Sequence, residues 1–227
     1  MTTKTPATIL AWHFLKANMT TTSGHDTKPW KVGQKRSVHG PLIICKHGFH
    51  SSPTPGDAGP YAPGSMLCLV EISQPADTQP DKYVSRTRKL LQAVDVSALQ
   101  REIVCDLADE LMAQEEAAGL TVPQACKDSV AAGRAYLRGE INDEELAIFF
   151  RASYGFAFAF AYASASAAAY VTYSASTANT TAYAYASANA GTVYAYASAS
   201  AAAKQKLTER AIKLFDPELV ARWRAQS

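Results

Sequence analysis

From Ala152 to Ala203 the chain runs for 52 residues without a charge, a proline, a leucine, an isoleucine or a methionine. A segment made mainly of Ala, Ser, Tyr and Thr cannot supply a conventional aliphatic core. The packed part of the protein must therefore be built from the residues on either side of it. The segment carries a repeat: Tyr-Ala-Ser-Ala recurs at 162, 185 and 196, with Tyr173-Ser-Ala-Ser between, giving steps of 11, 12 and 11 residues. Those steps are close to three helical turns. Alanine content and the capped helices expected on both sides favour a helix. The strict alternation of Phe156, Phe158, Phe160 and Tyr162 with alanine has the strand period, and a strand reading places a hairpin at Asn189-Ala190-Gly191. Small side chains interleaved with tyrosines suit close packing, so residues 152–203 are expected to mediate self-association or to bind a protein partner. Serines and weakly apolar alanines count against a membrane span over 152–170.

The remainder divides by charge. Residues 1–50 hold seven Lys or Arg against one acid, residues 51–95 are near balance at −1, residues 96–150 reach −7, and residues 151–227 return to +4. All five histidines, at 13, 25, 39, 47 and 50, lie in the basic first fifty residues. Such segregation generates a positive potential that attracts phosphate-bearing ligands, whether a nucleotide or a nucleic acid. The opening residues Met1 to Pro6 show neither an apolar h-region nor an Ala-x-Ala-like site, so the expected address is cytoplasmic. The cysteines at 45, 68, 105 and 126 form no C-x-x-C pair, which argues against a disulfide framework or a four-cysteine zinc ribbon.

Short apolar runs separated by Gly, Pro and Ser clusters make residues 1–95 a β-rich lobe. Ile9–Leu15, Leu42–Cys45 and Met66–Ile72 are its expected buried strands, and Ser51–Ser65 is expected as a loop too irregular for a helix. Residues 96–150 form an acidic helical segment. Ser97 with Gln100 opens a helix whose Leu99, Ile103, Leu107 and Leu111 recur every fourth residue, and Gly119 ends it. A second helix is expected from a Thr121 cap to Arg138-Gly139, and a third from Asn142 with Glu145. Residues 151–227 make an Ala/Ser/Tyr-rich tail that ends in amphipathic helices, one carrying Leu207, Ala211, Leu214 and Phe215, the last capped by Asp216-Pro217. The class is α+β: a small β-rich N-terminal lobe, then helices and an Ala/Tyr-rich tail read as helical.

Reactive side chains are densest at Cys45-Lys46-His47-Gly48-Phe49-His50-Ser51-Ser52. Cys45, His47, His50 and His39 are legitimate zinc ligands in type, but Cys-x-His-x-x-His has no usual ligand spacing, so no metal is assigned. Cys45 or Ser51 as a nucleophile with a histidine base is a second reading.

A third reading comes from a resemblance. Gly48-Phe49-His50-Ser51-Ser52, followed by Asp57-Ala58-Gly59-Pro60-Tyr61, resembles the Gly-Phe-Tyr-Ser-Thr and Asp-Ala-x-x-Tyr segments of diphtheria-toxin-like ADP-ribosyltransferases, with Ala11-Trp12-His13 as the upstream strand. The resemblance implies a cleft for NAD in which His13 contacts a ribose, His50 and Tyr61 wall the nicotinamide, and Ser51 supports them. His50 replaces the family's tyrosine, and no downstream segment matches its catalytic glutamate; Glu71 comes too early in the chain and Glu102 falls on an expected helix. Over its first ninety residues the chain also resembles an uncharacterised family of bacterial and phage-encoded proteins, through Ala11–Leu15, Cys45–Ser52, Tyr61–Glu71 and Asp81-Lys82-Tyr83-Val84. The resulting expectation is a phage-type accessory protein whose lobe binds an anionic nucleotide-like ligand. The alternative is a non-enzymatic assembly protein acting through the tail.

Overall fold

A computed structural model of the chain describes residues 8–21, 28–117, 119, 121–154 and 190–226. It is α+β, and it divides into two compact units: residues 1–96 with 208–227, and residues 97–207. The last twenty residues, part of the tail in the linear division, thus belong with the β-rich lobe.

The first unit holds two antiparallel sheets. Strands β1 (Thr8–Leu15), β2 (Lys35–Ser37), β4 (Met66–Ser73) and β7 (Thr87–Asp95) form one, in the order β1-β4-β7-β2. Strands β3 (Phe49–Ser51), β5 (Asp77–Gln79) and β6 (Lys82–Ser85) form the other, in the order β3-β6-β5. The sheets meet at β3. Its continuation at Ser52 exchanges both backbone hydrogen bonds with Trp12, at 2.8 and 2.7 Å.

β1 and β4 read as continuous apolar runs because both of their faces are covered. On one face Ala11 and Leu15 pack with Trp30, Phe49, Cys68, Val70, Ile72 and Leu90. On the other, the fully buried Trp12 ring meets Phe215 edge to face at 4.9 Å and Trp223 at 5.4 Å. Those rings come from the C-terminal end of the chain. Helix α5 (Ala190–Ala211) passes into a 3-10 turn at Ile212–Leu214, and Asp216 then caps α6 (Pro217–Arg224) by accepting the amide N–H groups of Glu218 and Leu219. Leu207, Ala211 and Phe215 are buried as the amphipathic pattern requires, whereas Leu214 faces solvent. Three further hydrogen bonds fasten this end to the lobe: Trp223 Nε1 donates to Pro53 O, Gly56 N to Thr208 Oγ1, and Leu10 N to Gln226 Oε1.

Two expectations for the lobe are corrected. Leu42–Cys45 is a tight turn rather than a buried strand. Ile43 and His47 exchange backbone hydrogen bonds of 2.8 Å, which reverses the chain, leaves Ile43 exposed and puts Cys45 at φ +63°. The 51–65 loop contains a one-turn helix, α1 (Pro55–Ala58), because Thr54 Oγ1 accepts from Asp57 N and Pro55 supplies a helix-compatible φ at the first position. A 3-10 turn at Gly59–Tyr61 follows it.

In the second unit α2 spans Ser97–Ala117, and Gly119 at φ +81° donates its N–H to Glu116 O. In helix α3 (Gln124–Leu137) Pro123 rather than Thr121 occupies the N-cap position, with no side-chain capping bond, and the helix ends before Gly139 at φ +72°. The Asn142 capping box at α4 (Asp143–Tyr154) is complete: Asn142 Oδ1 accepts from Glu144 N and Glu145 N, and Glu145 Oε2 accepts from Asn142 N. Arg134 of α3 holds Asp106 and Asp109 of α2, and Arg101 lies over the Tyr136 ring. Of the Ala/Tyr-rich segment, residues 152–154 and 190–203 are helical, so Ala190-Gly191 is not a hairpin; residues 155–189 lie outside the described residues. No helix among the described residues is long and apolar enough to cross a membrane.

Candidate functional site

The first unit encloses a cleft of about 730 Å³. His13, His50, Ser51 and Tyr61, the four residues singled out from sequence, all line it. The Trp12–Ser52 backbone pairing is what draws His13 on β1 towards His50 and Ser51 on β3. The 3-10 turn delivers Tyr61. His13 alternates with Ala11 and Leu15 along β1 and so shares their face, opposite Cys68 in the β1–β4 register.

His13 is an imidazole among apolar neighbours. Its Nε2 is buried and has no hydrogen-bond partner among the described residues. Burial foremost, then the charge of Arg88 and the nearby His50, hold its pKa well below the usual histidine value. His50 is lowered too, by burial and then by Arg88 and Lys82, against the opposite pull of hydrogen bonds with the Ile43 and Gly48 backbone. The backbone N–H of Cys45 donates to His50 Nε2 at 2.8 Å, which requires that nitrogen to carry no proton. Both histidines are therefore neutral at pH 7.

A folded-state pKa below the unfolded value means that acid titrates the unfolded chain first, so stability rises with pH. The His13 contribution is complete above pH ~6.5 and is lost as pH falls below it, at up to about 1.4 kcal/mol per pH unit. Urea denaturation of the intact protein between pH 7 and pH 5 should show the summed slope of His13 and His50, and His13→Gln should reduce it. An unchanged slope in the variant would show that His13 is not the group responsible.

Basic side chains complete the cleft. Arg88, on β7, is 3% exposed; it donates to His50 O and Ser51 Oγ and lies 5.1 Å from the Phe49 ring centre. Ser51 itself is 2% exposed, so its hydroxyl serves this contact and is not placed as a surface nucleophile. Arg36, on β2, donates to Lys28 O and Pro29 O and stacks over Trp30 at 4.2 Å. Lys82 places its ammonium 3.7 Å from the Tyr61 ring centre and 3.3 Å from Cys45 Sγ. Burial opposes the Lys82 charge, but the bonds to Cys45 and Tyr61 outweigh it and raise its pKa. Tyr61 OH donates to Asp81 at 2.7 Å; its pKa is raised by burial and by that carboxylate.

Arg36, Lys82 and Arg88 were not among the candidates picked from sequence. Arg36 on β2 is brought from more than forty residues away to Lys82 and Arg88, which lie on the consecutive strands β6 and β7. Only the positive balance of the first fifty residues signalled a basic site, and Lys82 and Arg88 lie outside that stretch.

The other two chemistries do not assemble. Among the described residues no group of three His, Cys, Asp or Glu is placed to hold a metal ion. His47 Nδ1 lies 2.8 Å from Pro41 O, and His50 Nε2 is engaged by a backbone amide, so no imidazole is shown as a base for the Cys45 thiol. Glu71 lies on β4, 3.9 Å from Arg222, and Glu102 lies on α2 in the second unit. No Asp or Glu is among the described residues lining the cleft.

Residues 9–102 match a family model described as a domain of unknown function, DUF7666. The DUF7666 match begins in β1, takes in every strand of the lobe and the whole described cleft lining, and ends within the first turns of α2. It stops short of the C-terminal segment that packs on Trp12. No curated protein and no solved structure matches the chain.

Proposed function

We propose that the β-rich lobe binds an anionic, nucleotide-like ligand in this cleft, and that it does so without transferase chemistry. The observation that carries the reading is charge: Arg36, Lys46, Lys82 and Arg88 line the cleft together with three histidines, and no carboxylate is among the described lining residues. Cations gathered in a partly desolvated concavity favour a ligand bearing phosphate. Tyr61, exposed in the same lining, adds aromatic surface for a ring. The buried, unpartnered His13 Nε2 is a polar atom that a ligand group can satisfy. ADP-ribosyl transfer in the resembled enzymes uses a glutamate at the reacting ribose, and the described lining residues include none, so binding is the function that these residues support.

Calorimetric titration of the intact protein with NAD tests the reading. Binding in the micromolar range, about −8 kcal/mol, is expected. It should weaken at least ~10-fold in Lys82→Gln and in His50→Ala, and fall as salt is raised. No heat at millimolar NAD, or binding indifferent to both substitutions, would overturn it.

A further inference from the structure

We infer that Cys45 is a modification site, the one cysteine of this chain built to form a mixed disulfide with an anionic, low-molecular-weight disulfide. The four thiols stand in sharply different surroundings. Cys68 is buried in the sheet and its pKa is pushed up to about 12 by desolvation, and burial also raises Cys105 and Cys126. Cys45 is the exposed one. The Ile43–His47 turn lifts it out of the core at φ +63°, and its backbone N–H is tied to His50. Its sulfur accepts a hydrogen bond from the Lys82 ammonium at 3.3 Å.

A cation at that distance stands beside the sulfur where an incoming anionic reagent must arrive. Cys45 also lines the cleft that Arg36, Lys46 and Arg88 make positive, and that field attracts an anionic reagent to the sulfur. The unpartnered buried nitrogen of His13 in the same lining marks the cleft as a place where a small molecule is received. In the reaction the Cys45 thiolate attacks one sulfur of the disulfide. A new S–S bond forms, the old one breaks, and the other half departs as a thiolate. The Cys45 sulfur is oxidised, the departing half is reduced, and the thiol proton passes to solvent. The inference does not require the cleft to bind a nucleotide.

The test compares an anionic disulfide, dithiobis(nitrobenzoate), with neutral dithiodipyridine on the folded intact protein at low salt. Released thiolate is followed by absorbance, and the modified residue is identified by peptide mass. One fast thiol is expected, mapping to Cys45 and absent in Cys45→Ser. Lys82→Gln should slow the anionic reagent at least ~10-fold and the neutral reagent much less, and added salt should reduce the difference. A fast thiol that maps to Cys126 would overturn the site. Equal slowing of both reagents in Lys82→Gln, or no slowing, would overturn the anion selectivity. Because neither reagent is a nucleotide, failure here is separate from failure of NAD to bind.

Discussion

Trp12→Ala is expected to destabilise the β-rich lobe by about 3–5 kcal/mol, the range for removing a fully buried aromatic ring. The ring is 0% exposed and is gripped edge to face by Phe215 and Trp223, and the residue's backbone carries both hydrogen bonds that join the two sheets at Ser52. Truncation leaves those backbone bonds in place and opens a cavity where the C-terminal segment docks. Small domains are stable by only ~5–15 kcal/mol, so a loss of this size is a large part of the total. The released segment should be visible as faster hydrogen exchange at Val220 and Trp223, ahead of exchange in β4. Trp12→Phe, which keeps an apolar ring in the site, should cost less than half as much. A loss under ~1 kcal/mol for Trp12→Ala in urea denaturation would show that residues 208–226 do not depend on this contact.

Gly48→Ala should be nearly as damaging and should also disable the cleft. Gly48 has φ +126°, a conformation that side-chain-bearing residues rarely adopt. A Cβ there would stand 2.4 Å from Val84 Cγ2, 3.1 Å from Leu42 Cδ2 and 3.4 Å from the Ser85 carbonyl oxygen. Val84 is β-branched and 0% exposed, so its methyl cannot swing aside. Backbone strain and overpacking together amount to about 2–5 kcal/mol. Gly33, at φ +84° with nothing within 4 Å of the added carbon, isolates the backbone part, and Gly33→Ala should cost only ~1 kcal/mol. Any relief of the clash at Gly48 moves β3, and with it His50 and Ser51, so the variant should bind NAD more weakly even where it remains folded. Equal stabilities for the two alanine variants would contradict the close packing of β3 on β6.

What the sequence made legible follows from local signals. β1 and β4 were readable as apolar runs, and the α4 capping box and the Asp216 cap as side-chain patterns, because each depends on residues a few positions apart. Leu42–Cys45 misled because four apolar residues in a row fit a strand, while the reversal that exposes Ile43 and Cys45 is closed by backbone bonds to His47 that no apolar pattern records. In β7, Arg88 and Leu90 are alternate buried positions, and nothing in the run Thr-Arg-Lys-Leu-Leu-Gln marks the arginine rather than the lysine as the inward one. The cleft was half legible. Its histidines and Tyr61 lie within motifs, but Arg36, Lys82 and Arg88 reach it only through strand order, and the Lys82 contacts with Tyr61 and Cys45 join residues 21 and 37 positions apart. The packing of the last helix on Trp12 spans more than two hundred residues, and the amphipathic pattern of that helix said that it must bury a face without saying against what.

Following the NAD titration residue by residue in amide proton–nitrogen NMR spectra decides whether the cationic cleft is a ligand site. The largest saturating shifts are expected on residues 36–38, 45–52, 61, 82 and 88, with α2, α3 and α4 unmoved. Shifts scattered over the surface, centred on the helical unit, or absent at millimolar NAD would contradict it.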